Sequence, residues 1–114
     1  MIVKRGDVPS FDFDGLEIRD YTAGRDLSAS FAIIDVRPGV AHRVSWSRRS
    51  DKYYYVIGGT VEFMDAGHTQ LLTEGDFCLV KQGDRFSYRN AGSEPARLVL
   101  FHTPGFDIDS EEFE

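Results

Sequence analysis

The chain has 114 residues, enough for one domain with one modest core and no second core. A hydrophobic share of 41% excludes a disordered chain, and a net charge of −6 argues against a nucleic-acid partner. Cys78 is the single cysteine, so an internal disulfide is excluded. The N-terminal MIVKRGDV is too polar for a signal peptide, and no apolar run reaches the length of a membrane span. These features suit a cytoplasmic protein with no membrane partner.

Strand and turn signals alternate along the chain, and helical periodicity is absent. Residues 1–4 read as a short strand and 6–15 (GDVPSFDFDG) as turn-rich. Residues 16–21 alternate, and Ala23-Gly24-Arg25-Asp26 breaks them. A strand over 31–36 ends at Pro38-Gly39. The aromatic run Tyr53-Tyr54-Tyr55 opens a strand that ends at Gly58-Gly59. Strands over 60–64 and 69–72 flank a hairpin turn at Asp65-Ala66-Gly67. Three more follow over 77–80, 85–89 and 96–102, before Pro104-Gly105 and a short acidic tail over 107–114. Short strands with frequent turns specify a β-sandwich or barrel, because two facing sheets bury the apolar faces that one open sheet would leave wet.

Charge is unevenly distributed. Arg37, Arg43, Arg48, Arg49 and Lys52 lie close together with one acid, Asp51. Lys81, Arg85 and Arg89 form a second basic segment. The tail carries five acids, Asp107, Asp109, Glu111, Glu112 and Glu114, and no base. The basic segments either concentrate positive potential at one place or are solvated loop charges.

The glycine framework resembles that of the small single-domain cupins. Gly39 and Gly59 hold the glycine positions of the first cupin motif, and Gly75, Gly83 and Asn90 fit the second. The resemblance covers residues 30–106 and implies an all-β fold, a double-stranded β-helix or jelly-roll barrel, as one domain over 1–114. The metal-ligand positions of these motifs fall on Ser45, Ser47, Lys52 and Phe86. A lysine repels a divalent cation and a phenylalanine has no lone pair to give, so the expectation is no metal and no cofactor.

Alternation places Ser45, Ser47, Lys52, Tyr54, Phe86 and Tyr88 inside the barrel if positions 52 and 86 point inward as the family's ligands do. Tyr54 and Tyr88 resemble the tyrosine pair of a metal-free cupin dehydratase of uridyl-peptide antibiotic biosynthesis, which also uses a histidine early in the first motif. His42 is the nearest candidate for that histidine. Its spacing from Gly39 differs by one residue, and simple parity points it outward unless a bulge intervenes. Leu98, Leu100 and His102 share one face of the last strand; the sequence leaves open which face is interior.

Several roles follow for these side chains. Tyr54 and Tyr88 are candidate proton donors or oxyanion-binding groups. Lys52, His42 and His102 are candidate bases, with Lys52 alternatively at the rim with its ammonium in water. Ser45, Ser47, Arg43, Arg49 and Phe86 are candidate substrate-binding residues, with the arginines able to clamp a carboxylate or phosphate. The expected function is acid–base chemistry of lyase or isomerase type on a small polar molecule, anionic or sugar-like. The alternatives are a non-catalytic cupin that binds a sugar or carboxylate, and an accessory cupin with its pocket closed. Trp46, Tyr53 and Tyr55 form an expected homodimer face.

Overall fold

The computed structural model describes residues 1–114 and contains eleven strands. These are β1 (Phe11–Phe13), β2 (Leu16–Asp20), β3 (Ser30–Val36), β4 (Ala41–Ser47), β5 (Asp51–Gly58) and β6 (Thr60–Asp65). They continue with β7 (His68–Thr73), β8 (Phe77–Val80), β9 (Phe86–Arg89), β10 (Ala96–Thr103) and β11 (Glu111–Phe113). Single 3₁₀ turns occur at Arg5–Asp7 and Ile108–Ser110. No helix is long and apolar enough to cross a membrane.

The strands form two antiparallel sheets, one of six strands in the order β1-β2-β3-β10-β5-β8 and one of five in the order β11-β4-β9-β6-β7. Residues 1–4 form no strand; Met1 and Ile2 are exposed and join neither sheet. The turn-rich stretch instead contains β1, which doubles back on β2 through Asp14 and Gly15, both at positive φ. The acidic tail is ordered as well, with β11 paired to β4 along the edge of the five-stranded sheet.

Register fixes what the inner face of the six-stranded sheet presents. Ile18, Ile34, Leu98 and Val56 stand opposite one another across β2, β3, β10 and β5. Asp20, Ala32, Leu100, Tyr54 and Cys78 form the next row. Ser30, His102, Lys52 and Val80 form the row beyond it. Leu98, Leu100 and His102 therefore face inward, and polarity rises toward one end of the barrel. The apolar end belongs to a core that includes Val36, Val56, Val61, Phe63 and Leu98. Gly59 closes the β5–β6 turn at φ +72°, and a Cβ there would lie 2.5 Å from the Pro95 carbonyl oxygen. Only glycine fits so close an approach of two backbones. The buried Asn90 ties β9 to its neighbours by donating to the Val36 and Glu94 carbonyls and accepting from Gly92 N–H.

Candidate active site

A cavity of about 320 Å³ opens between the sheets at their polar end. Aromatic side chains from both chain termini, Phe11, Phe13, Phe106 and Phe113, form its apolar walls. Its polar wall contains His42, Lys52, Tyr54, Tyr88, His102 and Glu111, with Asp20 and Ser30 beside them.

His42 reaches the cavity because β4 carries a bulge. His42 stands opposite Tyr88 and Ser45 opposite Phe86, so three steps on β4 match two steps on β9. The surplus residue breaks the alternation and turns both His42 and Ser45 inward. The ring packs beside Phe86 (5.0 Å between centroids) and Tyr88 (5.2 Å). Its Nδ1 lies 2.6 Å from the Arg43 carbonyl oxygen. A carbonyl only accepts, so Nδ1 carries the proton and Nε2 keeps a free lone pair. Burial holds the imidazole down at about pKa 4, with the Lys52 charge adding to the effect, so it is neutral at pH 7.

Tyr54 and Tyr88 face each other edge to face, with centroids 5.6 Å apart. Both are almost fully buried, and burial pushes both phenols above their ordinary range. The buried Tyr88 hydroxyl has no partner in hydrogen-bond geometry, although Tyr54 is its neighbour. A buried hydroxyl left without a partner favours any arrangement that brings it one, and a ligand oxygen is one such partner.

Lys52 is not a rim lysine. Only 3% exposed, it is paired with Glu111, whose side chain is equally enclosed. Its ammonium also donates to His102 Nε2 at 2.9 Å. Burial brings the Lys52 pKa below its ordinary value, and Glu111 offsets only part of that effect. Burial and the Lys52 charge together hold His102 down at about pKa 3. The two bases contacting Lys52 differ in consequence. Glu111 supplies the opposite charge, whereas His102 spends its only lone pair on the ammonium.

The remaining candidates lie elsewhere. Ser45, Ser47 and Phe86 are buried but do not border the cavity. The Ser47 hydroxyl accepts from the backbone N–H groups of Arg49 and Ser50 and so closes the β4–β5 turn. Phe86 fills the space between His42, Tyr54 and the Lys52 ammonium. Arg43 points outward, stacks on Phe113 (4.4 Å) and pairs with Asp14 at 3.4 Å. Arg49 donates to the Gly105 carbonyl at 3.0 Å. Neither arginine is free to clamp an anion at the cavity. The basic segments do not pool their charge either, because Arg48, Lys52 and Arg85 each pair with a tail acid, Glu112, Glu111 and Glu114. Glu111 is the site residue that sequence reasoning missed. The signal for it was Lys52, an inward cation that needed a carboxylate from somewhere.

The residues at the metal-ligand positions do not fit a divalent cation. Ser45, Ser47, Lys52 and Phe86 occupy them, and no three His, Cys, Asp or Glu side chains gather to hold a metal elsewhere.

Two facing antiparallel sheets around a cavity at one end define a double-stranded β-helix protein. The cupin domain family model matches residues 32–102, and the chain belongs to that family. No curated protein sequence matches it. Among solved structures, Pac13, a nucleoside dehydratase, is similar over 100% of this chain and 90% of its own, with a TM-score of 0.86 and 21% identity. A histidine-to-glutamine variant of Streptomyces PAC13 with uridine matches at a TM-score of 0.83 and 22% identity over 97% of this chain and 88% of that one. A predicted oxalate decarboxylase from Thermotoga maritima follows at 0.79 and 18%, covering 91% of this chain and 99% of that one. At these identities the likeness establishes the shared fold.

Proposed function

We propose that the protein is an acid–base lyase that removes water from a small, neutral, sugar-like carbonyl compound. One observation carries this reading: the Arg43 carbonyl fixes the His42 tautomer, so Nε2 keeps its lone pair on a ring that lines the same cavity as two buried phenols. His42 is the base. Lys52 is committed to its ion pair and His102 to Lys52, so neither competes for that role. Tyr88, with Tyr54 beside it, is the acid that protonates the departing hydroxyl.

The charge of the cavity refines the ligand class. Lys52 is balanced by Glu111, and Asp20 also borders the space. With the arginines engaged elsewhere, a formal anion finds no unpaired cation, and a neutral polar ligand fits better. The comparison with Pac13 supports the same class, because a nucleoside is a neutral sugar derivative and variants of that enzyme at a histidine and at tyrosines have been solved with uridine. A cavity of this volume does not suit an accessory cupin with a closed pocket.

The test is a panel of β-hydroxy aldehydes and ketones built on sugars and nucleosides, followed by the absorbance of the conjugated product and by loss of 18 mass units (water). His42→Gln should lower kcat on the responsive compound by about 100-fold or more. Saturable binding with no conversion of any panel member would favour the non-catalytic binding cupin instead.

The outer face of the six-stranded sheet carries Tyr53, Tyr55, Phe77 and Phe101, and we read it as a self-association surface. Trp46 does not extend it, since it lies on the other sheet under the Arg85 guanidinium. A monomeric mass by light scattering would remove this reading.

A further inference from the structure

The Lys52 ammonium has three N–H groups, and only two have partners in the protein. One meets Glu111 and one meets His102 Nε2. Lys52, His102 and Glu111 all line the cavity, and Lys52 stands in the row next to that of Tyr54. The Phe86 ring, its centroid 5.4 Å from the ammonium, offers a π face and no oxygen. A lysine enclosed to this degree, held from two sides and left with a spare donor, has the geometry of an oxygen-binding group.

We propose that Lys52 is the electrophile of this site: its ammonium receives the carbonyl oxygen of the substrate and holds the negative charge that develops there. Glu111 and His102 are positioning residues that fix the ammonium and keep it charged. The proposal rests on the lyase reading above and adds the group that reading lacks, since a neutral imidazole needs help to remove a proton from carbon.

The step balances without a co-reactant. His42 Nε2 takes the proton from the carbon next to the carbonyl. The C–H electron pair forms a carbon–carbon double bond, and the carbonyl π pair moves to the oxygen held by Lys52. The carbonyl then re-forms, the double bond shifts, and the β-hydroxyl departs with a proton from Tyr88 as water. The His42 imidazolium returns its proton to the tyrosinate.

The location of the lysine gives the proposal a second meaning. Position 52 is where the cupin motif places a metal-binding carboxylate. Here the cation is covalently part of the chain, and a carboxylate arrives from β11 to hold it. The protein thus supplies its positive charge from its own side chain, at the place where the cupin motif has a metal ligand.

Two measurements on the full chain test this. The first uses lysine labelled with ¹⁵N at Nζ and hydroxyacetone, a neutral ketone, as probe. The Lys52 ammonium resonance, assigned by its loss in Lys52→Met, should shift saturably on titration, in wild type and in His42→Gln alike. The second compares kinetics on the responsive panel compound. Lys52→Met should lower kcat by about 100-fold or more while KM changes less than tenfold. The double variant Lys52→Met/Glu111→Gln, which leaves no buried charge unpaired, should show the same loss. Glu111→Gln should give a smaller loss with a shifted pH profile. An unmoved resonance, undiminished turnover in a folded Lys52 variant, or a covalent adduct at Lys52 after cyanoborohydride would each overturn the proposal. Undiminished turnover would leave the lyase reading intact, whereas a shifted resonance without turnover of any compound would remove the lyase reading and keep the oxygen site.

Discussion

The inner face of the six-stranded sheet has two ends built on different terms. At one end the row Ile18, Ile34, Leu98 and Val56 is wholly apolar, and its stability comes from burial that has no dependence on charge. Two rows away, Ser30, His102 and Lys52 stand in the same strands, and their stability depends on protonation states and on one carboxylate from β11. The strands are shared, so the difference lies entirely in the side chains. A chemical site was placed in this sheet without altering the hydrogen-bond ladder that carries it.

The largest effect should come from pH, which acts on one end only. His42 and His102 have folded pKa values near 4 and 3, below the ordinary 6.5. As pH falls below 6.5 the unfolded chain takes up protons that the folded one refuses. Stability is therefore full above about 6.5 and is lost as pH falls toward those values, by on the order of 3 kcal/mol for each histidine. Urea titrations at pH 7 and pH 4 should show this loss, and His42→Gln should reduce it; an unchanged pH dependence in that variant would contradict the His42 share. Glu111→Ala comes next. It strands a buried ammonium and should destabilise by about 3–5 kcal/mol, whereas Lys52→Met/Glu111→Leu should stay close to wild type in the same denaturation assay.

At the apolar end, Leu98→Ala should cost about 2–5 kcal/mol through the cavity it leaves, with the same value at pH 7 and pH 5. A pH-dependent penalty there would break the contrast between the two ends. The smallest effect is Tyr88→Phe. It removes a hydroxyl that has no partner, so stability should change by less than about 1 kcal/mol or rise, while turnover falls. That divergence between melting temperature and kcat would separate a group kept for chemistry from one kept for packing.

Most of the fold is legible in the sequence because turn residues punctuate it so regularly. The strand ends at Gly39, Gly59 and Gly83 follow from local backbone preference, which a sequence displays directly. β1 is hidden because FDFDG reads as turn residues, and it is a strand only by virtue of pairing with β2. Lys52, Tyr54 and Tyr88 can be placed inside by alternation alone. Glu111 cannot, because an acidic tail reads as a solvated one, and its partner is 59 residues away. The arginines mislead for the same reason: the acids that engage Arg43, Arg48 and Arg85 are distant in the chain, so nothing local shows that their charge is already spent.

The bulge in β4 means that length is itself a variable at this site. Between His42 and Ser45 the strand holds one residue more than its partner strand requires. An insertion or deletion there can be absorbed without changing which side chains face inward on either side. Removing Val44 would leave His42 two residues before Ser45, the spacing at which a regular strand presents both to the same side. Straightening the strand with Val44 still in place would instead swing His42 out and Arg43 in. Counting back from Ser45 or Gly59 therefore locates this histidine only to within one position, whereas the count from Gly39 does not cross the bulge.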